Sequence, residues 1–518
     1  MIQLGRLITR AARHSGHLPA LTCGATALTW RQVETRVWRM ARGLATLGVA
    51  KGDRVAYLGV NSHRYFEMYY APSRISAIAV PLNFRLAQAE LKQTLEDCTP
   101  TVLFADALHY EAALELQKAV PSIRHVIWAD DLTAPDGVES YDALVAGDSV
   151  DDGTGIEDLG TSDRETAIIF YTGGTTGRGK GVMLSHANLF VNSSSAVSVY
   201  GFRQRETQMM SGPMFHLGSG SRVFSASLLC SHTIIVPKFD SVDAMRAIQD
   251  HGIASIQLVP TMLAMLLKHP EFSNFDLSSL RLITYGAASM PTELLRQALD
   301  TLPKVKFVQA FGMTETSPVC TVLTSDQHSP TSTKLGTVGT PMPHAEIRIV
   351  DDDDVDVPAG TTGQILTRGP HVMNGYWNQP EATAKALRDG WYHTGDAGWL
   401  DEDGFLHIAG RTTEMIVSGG ENVYPVEIEN ALSLHPAIDS AAVIGVPCSH
   451  WGATVHAVIS VKPDCTLTLA ELDARCRPLI AGYKCPRGLT VWDGALPLTN
   501  VGKLDKTTMR KAVLAAQE

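Results

Sequence analysis

Along most of the chain, two kinds of hydrophobic pattern alternate. Segments whose apolar positions recur at helical spacing, such as "LTWRQVETRVWRMARGLATLG", are followed by short β-rich runs: "RVAYLGV", "TVLFAD", "HVIWA", "TAIIFYT", "TIIVP" and "SIQLVP". That alternation predicts parallel sheets flanked by helices, an α/β architecture. At the start, Ile2, Leu4, Leu7 and Ile8 fall among arginines at near-helical spacing and predict an amphipathic first helix.

After about Thr337 the pattern shortens to strands and turns. The stretch "AEIRIVDDDDVDVPAGTTGQILTRGP" reads as a hairpin, and its acidic run Asp351 to Asp354 as a solvated turn, since consecutive carboxylates point in different directions. Near Gly410 the polar, glycine-rich "GRTTEMIVSGGENVYPVEIENAL" marks a boundary. Beyond it "AAVIGVP", "TVHAVISV", a helix from Leu469 and "GLTVWDG" predict a small α+β domain of roughly 100 residues. At roughly 150 residues per domain, the length predicts about three structural units.

Composition narrows the function classes. A formal charge of −11 argues against a nucleic-acid surface, which needs a net basic face. No run reaches the roughly 18 apolar residues of a membrane span. The eight cysteines show neither CxxC pairs nor histidines at ligand spacing, which fits no zinc site or disulfide framework and points to a reducing, cytoplasmic setting. Oligomeric state is left open, a homodimer included.

The stretch "FYTGGTTGRGKGVMLSHANL" from Phe170 carries the first chemistry. Glycines let backbone N–H groups turn toward an anion, and the hydroxyls and lysine add donors and charge. It departs from the ordinary P-loop, because Gly181 stands where the magnesium-binding hydroxyl belongs. The residues after the lysine depart from it too: "GVML" reads as a buried strand, and Ser185 as the N-cap of the next helix. The loop therefore joins strand to strand.

Four further motifs occur in order: "QAFGMTET", "WYHTGDAGWLDEDGFLHIAGR", "SGGENVYPVEIE" and "LPLTNVGKLDK". With the glycine-rich loop they resemble the adenylate-forming superfamily of acyl- and aryl-CoA synthetases, luciferases and peptide-synthetase adenylation domains, over nearly the whole chain. The resemblance implies an AMP-forming carboxylate–CoA ligase with a large N-terminal α/β domain carrying a small β-rich subdomain (1–410), a hinge (411–414) and a small mobile α+β lid (415–518). It implies ATP and coenzyme A as substrates, and magnesium. By motif position, Thr172, Gly174, Thr175, Thr176 and Lys180 would hold the β- and γ-phosphates, Glu315 magnesium and Thr314 a phosphate. Asp396, in a "TGD" turn, would bind the ribose with Arg411 as ribose or phosphate partner, Phe311 before Gly312 would lie against adenine, and Gly286, Ala287 and Ala288 would line the nucleotide and acyl pocket. Lys503 matches the lysine that reaches the α-phosphate and carboxylate during adenylation, and His216 a gate beside the acyl group. Thr413 stands at the pivot, where the family commonly has aspartate or lysine, while Gly420 and Lys484 fall on the coenzyme A side.

For the acid, Gly218, Ser219, Gly220 and Ser221 after His216 leave room for a chain or ring, and Arg222 follows closely. The expectation is a medium- or long-chain fatty acid, with an aryl or arylpropenoic acid (benzoate, coumarate or ferulate type) as the alternative. Loading of a carrier protein is a third reading.

Overall fold

In the computed structural model, which describes residues 2–146, 162–172, 179–288, 290–418, 421–448, 451–499 and 504–516, each of the six β-rich runs contains a strand. These strands divide between two large sheets. The first has seven strands, in the order Gly375–Tyr376, Lys180–Ser185, Thr166–Thr172, Ile78–Leu82, Arg54–Leu58, Val102–Ala105 and His125–Trp128. The second has nine: Thr340–Pro341, Thr321–Leu323, Lys306–Phe311, Leu282–Gly286, Ser255–Leu258, Thr207–Met210, His232–Ile235, Pro19–Cys23 and Thr26–Thr29. Central neighbours are parallel. Pairing turns antiparallel toward one edge of the first sheet, at Thr166–Thr172 with Lys180–Ser185, and toward both edges of the second, at Lys306–Phe311 with Thr321–Leu323 and at Pro19–Cys23 with Thr26–Thr29.

Two further sheets follow. One is antiparallel and contains Glu346–Val350, Gly363–Arg368, Leu387–Arg388, Trp391–Leu400 and Leu406–Arg411. The expected hairpin is there, with Asp351 closing its acidic turn by accepting from the N–H groups of Asp353 and Val355 at 3.0 Å each. The other consists of Ile416–Ser418, Glu421–Val423, Ile438–Cys448, Gly452–Val461 and Gly488–Val491. Strands distant in sequence share the large sheets. Leu21 pairs with Thr233, and Tyr376 returns to pair with Val182.

Local chemistry sets the helix ends. Thr29 and Gln32 form a capping box at Trp30–Thr46, and Ser185 caps His186–Val199 through the N–H of Asn188. The first helix, Gly5–Ser15, buries Leu7, Ile8, Ala11 and Ala12, one face of its turn. Between the two large sheets Tyr69 and Tyr70 pack edge-on against Phe224, at centroid distances of 5.8 and 5.9 Å. Their hydroxyls reach the carbonyls of Met214 and Val223, so neither of these two phenols is buried unpaired.

Burial also holds several histidines neutral. His186, which accepts from the Leu4 N–H through Nδ1, is pushed down to about 4 by burial. His328 is also lowered to about 4; its Nδ1 donates to Thr324 O, which leaves Nε2 to accept from the Tyr285 hydroxyl. Each folded pKa lies below the ordinary histidine value, so the unfolded chain binds more protons below pH 6.5, and stability present above that pH is lost as pH falls toward 4. For His186, a drop from 6.5 to about 4 corresponds to about 3 kcal/mol. Thermal melts between pH 7 and 4 are expected to show this loss, and His186→Asn, which keeps an acceptor but does not titrate, is expected to flatten it.

Candidate active site

The glycine-rich loop spans an antiparallel hairpin in which Thr172 pairs with Lys180. Gly174, Thr175 and Thr176 lie outside the described residues. At its base the Thr172 hydroxyl donates to Lys180 O at 3.4 Å. A side chain at Gly181 would meet Ile169 and Tyr171 at 3.0 Å and Trp377 at 3.1 Å. Packing therefore explains why no hydroxyl comes after the lysine. The Lys180 ammonium instead sits 4.7 Å from the ring centroid of Tyr376.

Tyr376 connects this hairpin to the next motif. Its hydroxyl donates to Glu315 Oε1 at 2.9 Å, and burial, helped by the Glu315 charge, raises its pKa and keeps it protonated. Tyr392 is bonded to Tyr376, is raised in the same way, and lies within the influence of both Glu315 and Arg411. Glu315 and Thr314 occupy a single helical turn, Thr314–Thr316, just beyond the strand Lys306–Phe311. Gly312 makes that turn possible: φ is 157°, and a Cβ there would lie 2.0 Å from Pro318 O. Two asparagines on the helix His186–Val199 pin the surroundings. Asn192 donates to Thr316 O at 3.0 Å and Val319 O at 2.9 Å, while Asn188 donates to Pro370 O at 2.8 Å and Val372 O at 2.9 Å. The Met373 N–H then reaches Glu315 O at 2.9 Å.

Asp396 was expected in a turn, yet it lies inside the ten-residue strand Trp391–Leu400. Gly395, at φ 71°, and a register shift at Ala397/Gly398 bend the strand without ending it, so "TGD" looks like a turn in sequence only. Asp396 is buried opposite Arg411, whose Nε meets its carboxylate at 2.9 Å. Thr394 accepts from the Asp396 N–H at 3.0 Å and donates to Ile365 O at 2.7 Å, which fixes the strand below. The half-buried Phe311 packs with Val338, Ile349, Ile365 and Leu406.

Elsewhere, Asn61 holds the loop before His216 by donating to Gly212 O at 2.9 Å and accepting from Met214 N at 2.7 Å. His216 caps Leu217–Gly220 by accepting from Gly218 N at 3.3 Å. The small residues there serve two purposes. At Gly220 a side chain would strike the Tyr69 hydroxyl at 2.6 Å and Met214 O at 2.7 Å, so its smallness is used in packing. Gly218 instead faces His216 and Gln257, whose Nε2 would lie 3.9 Å from an added Cβ. Gln257 makes no side-chain hydrogen bond among the described residues. Arg222, buried on the same side, donates to Gln208 Oε1 at 2.8 Å, Ser255 Oγ at 3.1 Å and Thr284 Oγ1 at 3.2 Å. With no carboxylate in that set, burial lowers its pKa to about 10. Gly286 ends its strand with no room for a side chain, because a Cβ would lie 2.3 Å from Ala310 O, and Ala287 and Ala288 come after it, exposed.

In the last unit Thr413 is exposed within the turn Thr412–Glu414. Lys484 is held by Glu427, at 2.7 and 2.8 Å. Gly420 and Lys503 lie outside the described residues. No helix among the described residues is long and apolar enough to cross a membrane.

Tyr376, Tyr392, Asn188, Asn192 and Gln257 were not singled out by sequence reasoning. "NGYWNQP" held the one local signal, a tyrosine after a glycine at φ 139°.

Residues 8–377 match the family model of the AMP-binding enzymes, and residues 427–503 that of the AMP-binding enzyme C-terminal domain. A feruloyl-CoA synthase of an Amycolatopsis species is 38% identical over 509 residues, 98% of each chain. An indoleacetate–CoA ligase of Aromatoleum aromaticum is 36% identical over 97% of each. Among solved structures, the anthranilate CoA ligase AuaEII in complex with anthranoyl-AMP superposes with a TM-score of 0.90 at 25% identity, covering 100% of this chain and 98% of that one.

Asn192→Leu would strip Thr316 O of its donor, while Val319 O keeps His344 at 3.1 Å. It is expected to destabilise the fold by about 1–3 kcal/mol, the cost of one buried unpaired carbonyl, read as a shift in the denaturant transition.

Proposed function

The chain belongs to the family of AMP-binding enzymes and is an acid–thiol ligase, and on that premise we propose that its acid is an aryl or arylpropenoic acid and its thiol coenzyme A. The observation that carries the choice is Gln257, an amide unpaired among the described residues, beside Gly218 and His216. A fatty chain seated there would leave the amide unsatisfied, at a cost of about 1–3 kcal/mol, whereas a ring bearing hydroxyl or methoxy oxygen would pair with it. The full-length similarity to a feruloyl-CoA synthase supports the same reading. This reverses the order of preference drawn from sequence, where Gly218 to Ser221 left room for a chain or ring and a fatty acid was put first. Gly220 is filled by Tyr69, and Arg222 and its partners make the sheet beside Gln257 polar.

In the first half-reaction the substrate carboxylate attacks the α-phosphorus of ATP, and pyrophosphate leaves. In the second the coenzyme A thiol, losing its proton, attacks the acyl carbonyl and AMP leaves. Both steps depend on positioning and on neutralising charge. In this proposal Thr172, Gly174, Thr175, Thr176 and Lys180 hold the β- and γ-phosphates, Thr314 adds a hydroxyl, and Asp396 and Arg411 hold the ribose. Adenine lies against Phe311, next to Gly312, with Gly286, Ala287 and Ala288 along the pocket wall. Glu315 suits magnesium, a hard cation that commonly takes only one or two protein carboxylates, and its orientation is set by the Tyr376 hydroxyl. Magnesium, when bound, supplies neutralisation of phosphate charge. Lys503 meets the α-phosphate and carboxylate, and His216 borders the acyl group.

For the second half-reaction the segment 415–518 rotates about 411–414, with Thr413 absorbing the backbone change and Gly420 and Lys484 coming to the coenzyme A side. The contact Lys268–Asp439, 3.5 Å between exposed groups, costs little to break.

Pyrophosphate release across benzoic, cinnamic-type and fatty acids, with and without coenzyme A, tests the proposal. The expected outcome is fastest release with oxygen-substituted cinnamic or benzoic acids, and an acyl-CoA product only when coenzyme A is present. Preference for fatty acids would overturn the substrate reading, and release without a CoA product would move the acceptor to a carrier protein. Gln257→Leu is expected to shift kcat/KM about 10-fold toward unsubstituted acids. Lys503→Ala is expected to lower adenylate formation by about 10²–10³ while thioester formation from supplied acyl-adenylate stays nearly intact.

A further inference from the structure

The last helix, Lys506–Ala515, begins with a lysine whose ammonium bridges two other elements. It lies 2.8 Å from Glu429 Oε1 on the helix Pro425–Ser433 and 3.0 Å from Glu414 Oε2 in the turn Thr412–Glu414. Glu414 is the residue next to Thr413. Glu429 also accepts from the Val443 N–H at 2.8 Å, which ties the cluster to the strand Ile438–Cys448. The Lys506 side chain is only 22% exposed. Burial works against its charge, but Glu429 and Glu414 outweigh it and raise its pKa. An isolated exposed ion pair would contribute little, whereas removing this cation leaves two carboxylates facing each other.

The same lysine stands at the base of the segment that contains Lys503. Leu498 and Leu504 form an antiparallel bridge, the Asp505 N–H donates to Pro497 O at 2.9 Å, and Asp505 caps the helix by accepting from Thr508 N at 3.0 Å. Both ends of the 499–503 connection are thus anchored next to Lys506, three residues past Lys503.

We propose that Lys506 is a positioning residue for the first half-reaction: through Glu414 and Glu429 it locks the exit of the hinge to the base of the Lys503 segment, so that rotation at Thr413 delivers Lys503 as part of one rigid body. The inference rests on the reading of Lys503 as the adenylation lysine. Breaking the tie allows Lys503 to wander, and misplacement by about 1 Å costs a reacting group up to about 100-fold. The thioester step does not use Lys503 and is spared.

The test measures the two half-reactions separately, as pyrophosphate release from ATP and acid and as thioester formation from supplied acyl-adenylate and coenzyme A. Lys506→Met is expected to lower kcat for adenylation about 10- to 100-fold with KM for ATP and acid little changed, and to leave the thioester step nearly intact. Lys506→Arg is expected to restore most of the loss. Glu414→Gln, which keeps Lys506 paired with Glu429, is expected to give a smaller loss in the same step and serves if the methionine variant does not fold. Unchanged adenylation, an equal fall in both steps, or failure of arginine to rescue would overturn the inference. Lys503→Ala in parallel separates the two readings. If it abolishes adenylation while Lys506→Met does not, only the positioning role fails; if it leaves adenylation unharmed, the reading of Lys503 fails and the positioning role falls with it.

Discussion

A buried phenol that must stay protonated links the motifs of the site. The Tyr376 hydroxyl donates to Glu315 while its ring lies beside the Lys180 ammonium, so one neutral side chain couples the glycine-rich hairpin to the acid expected to take magnesium. Tyr392 extends the link toward Arg411, which pairs with Asp396. A charged phenolate here would face Glu315, and burial together with that charge keeps the proton in place. The phosphate, metal and ribose ends of the proposed site thereby share one set of contacts.

Around that link, amides carry the polar load. Asn188 and Asn192, on one face of one helix, satisfy carbonyls from two loops that belong to different sheets. An amide suits this task because it stays neutral at any physiological pH and offers two donors. Gln208, Ser255 and Thr284 instead accept from Arg222, surrounding a buried cation with neutral oxygens. Gln257, beside them, is an amide left without such a partner among the described residues, which gives the proposed ring-oxygen recognition its physical basis.

The last unit is organised by charge pairs. Lys484 with Glu427 and Lys506 with Glu414 and Glu429 bind its elements to one another, while the Lys268–Asp439 contact to the larger part is exposed and weak. The proposed alternation between two half-reactions needs elements that move together, and these pairs hold them to one another.

The order of elements and much of the chemistry were legible in the residues. Short β-rich runs and helical patterns located the strands and helices, Ser185 announced its cap, and five motifs in order identified the family, because each depends on residues near one another along the chain. The sharing of sheets by distant strands was not legible, nor was the strand that hides in "TGD", since a bend at Gly395 and a hairpin turn ask for the same residue types. Tertiary structure alone decided that Gly220 is filled by Tyr69, that Gly218 opens onto Gln257, that Tyr376 meets Glu315 across 61 positions of sequence, and that Lys506 reaches back 92 positions to Glu414. Such meetings depend on how sheets pack and where strands register. No local spacing records them, because the same side chain is a satisfied partner or a free one according to what the fold brings within about 3 Å of it.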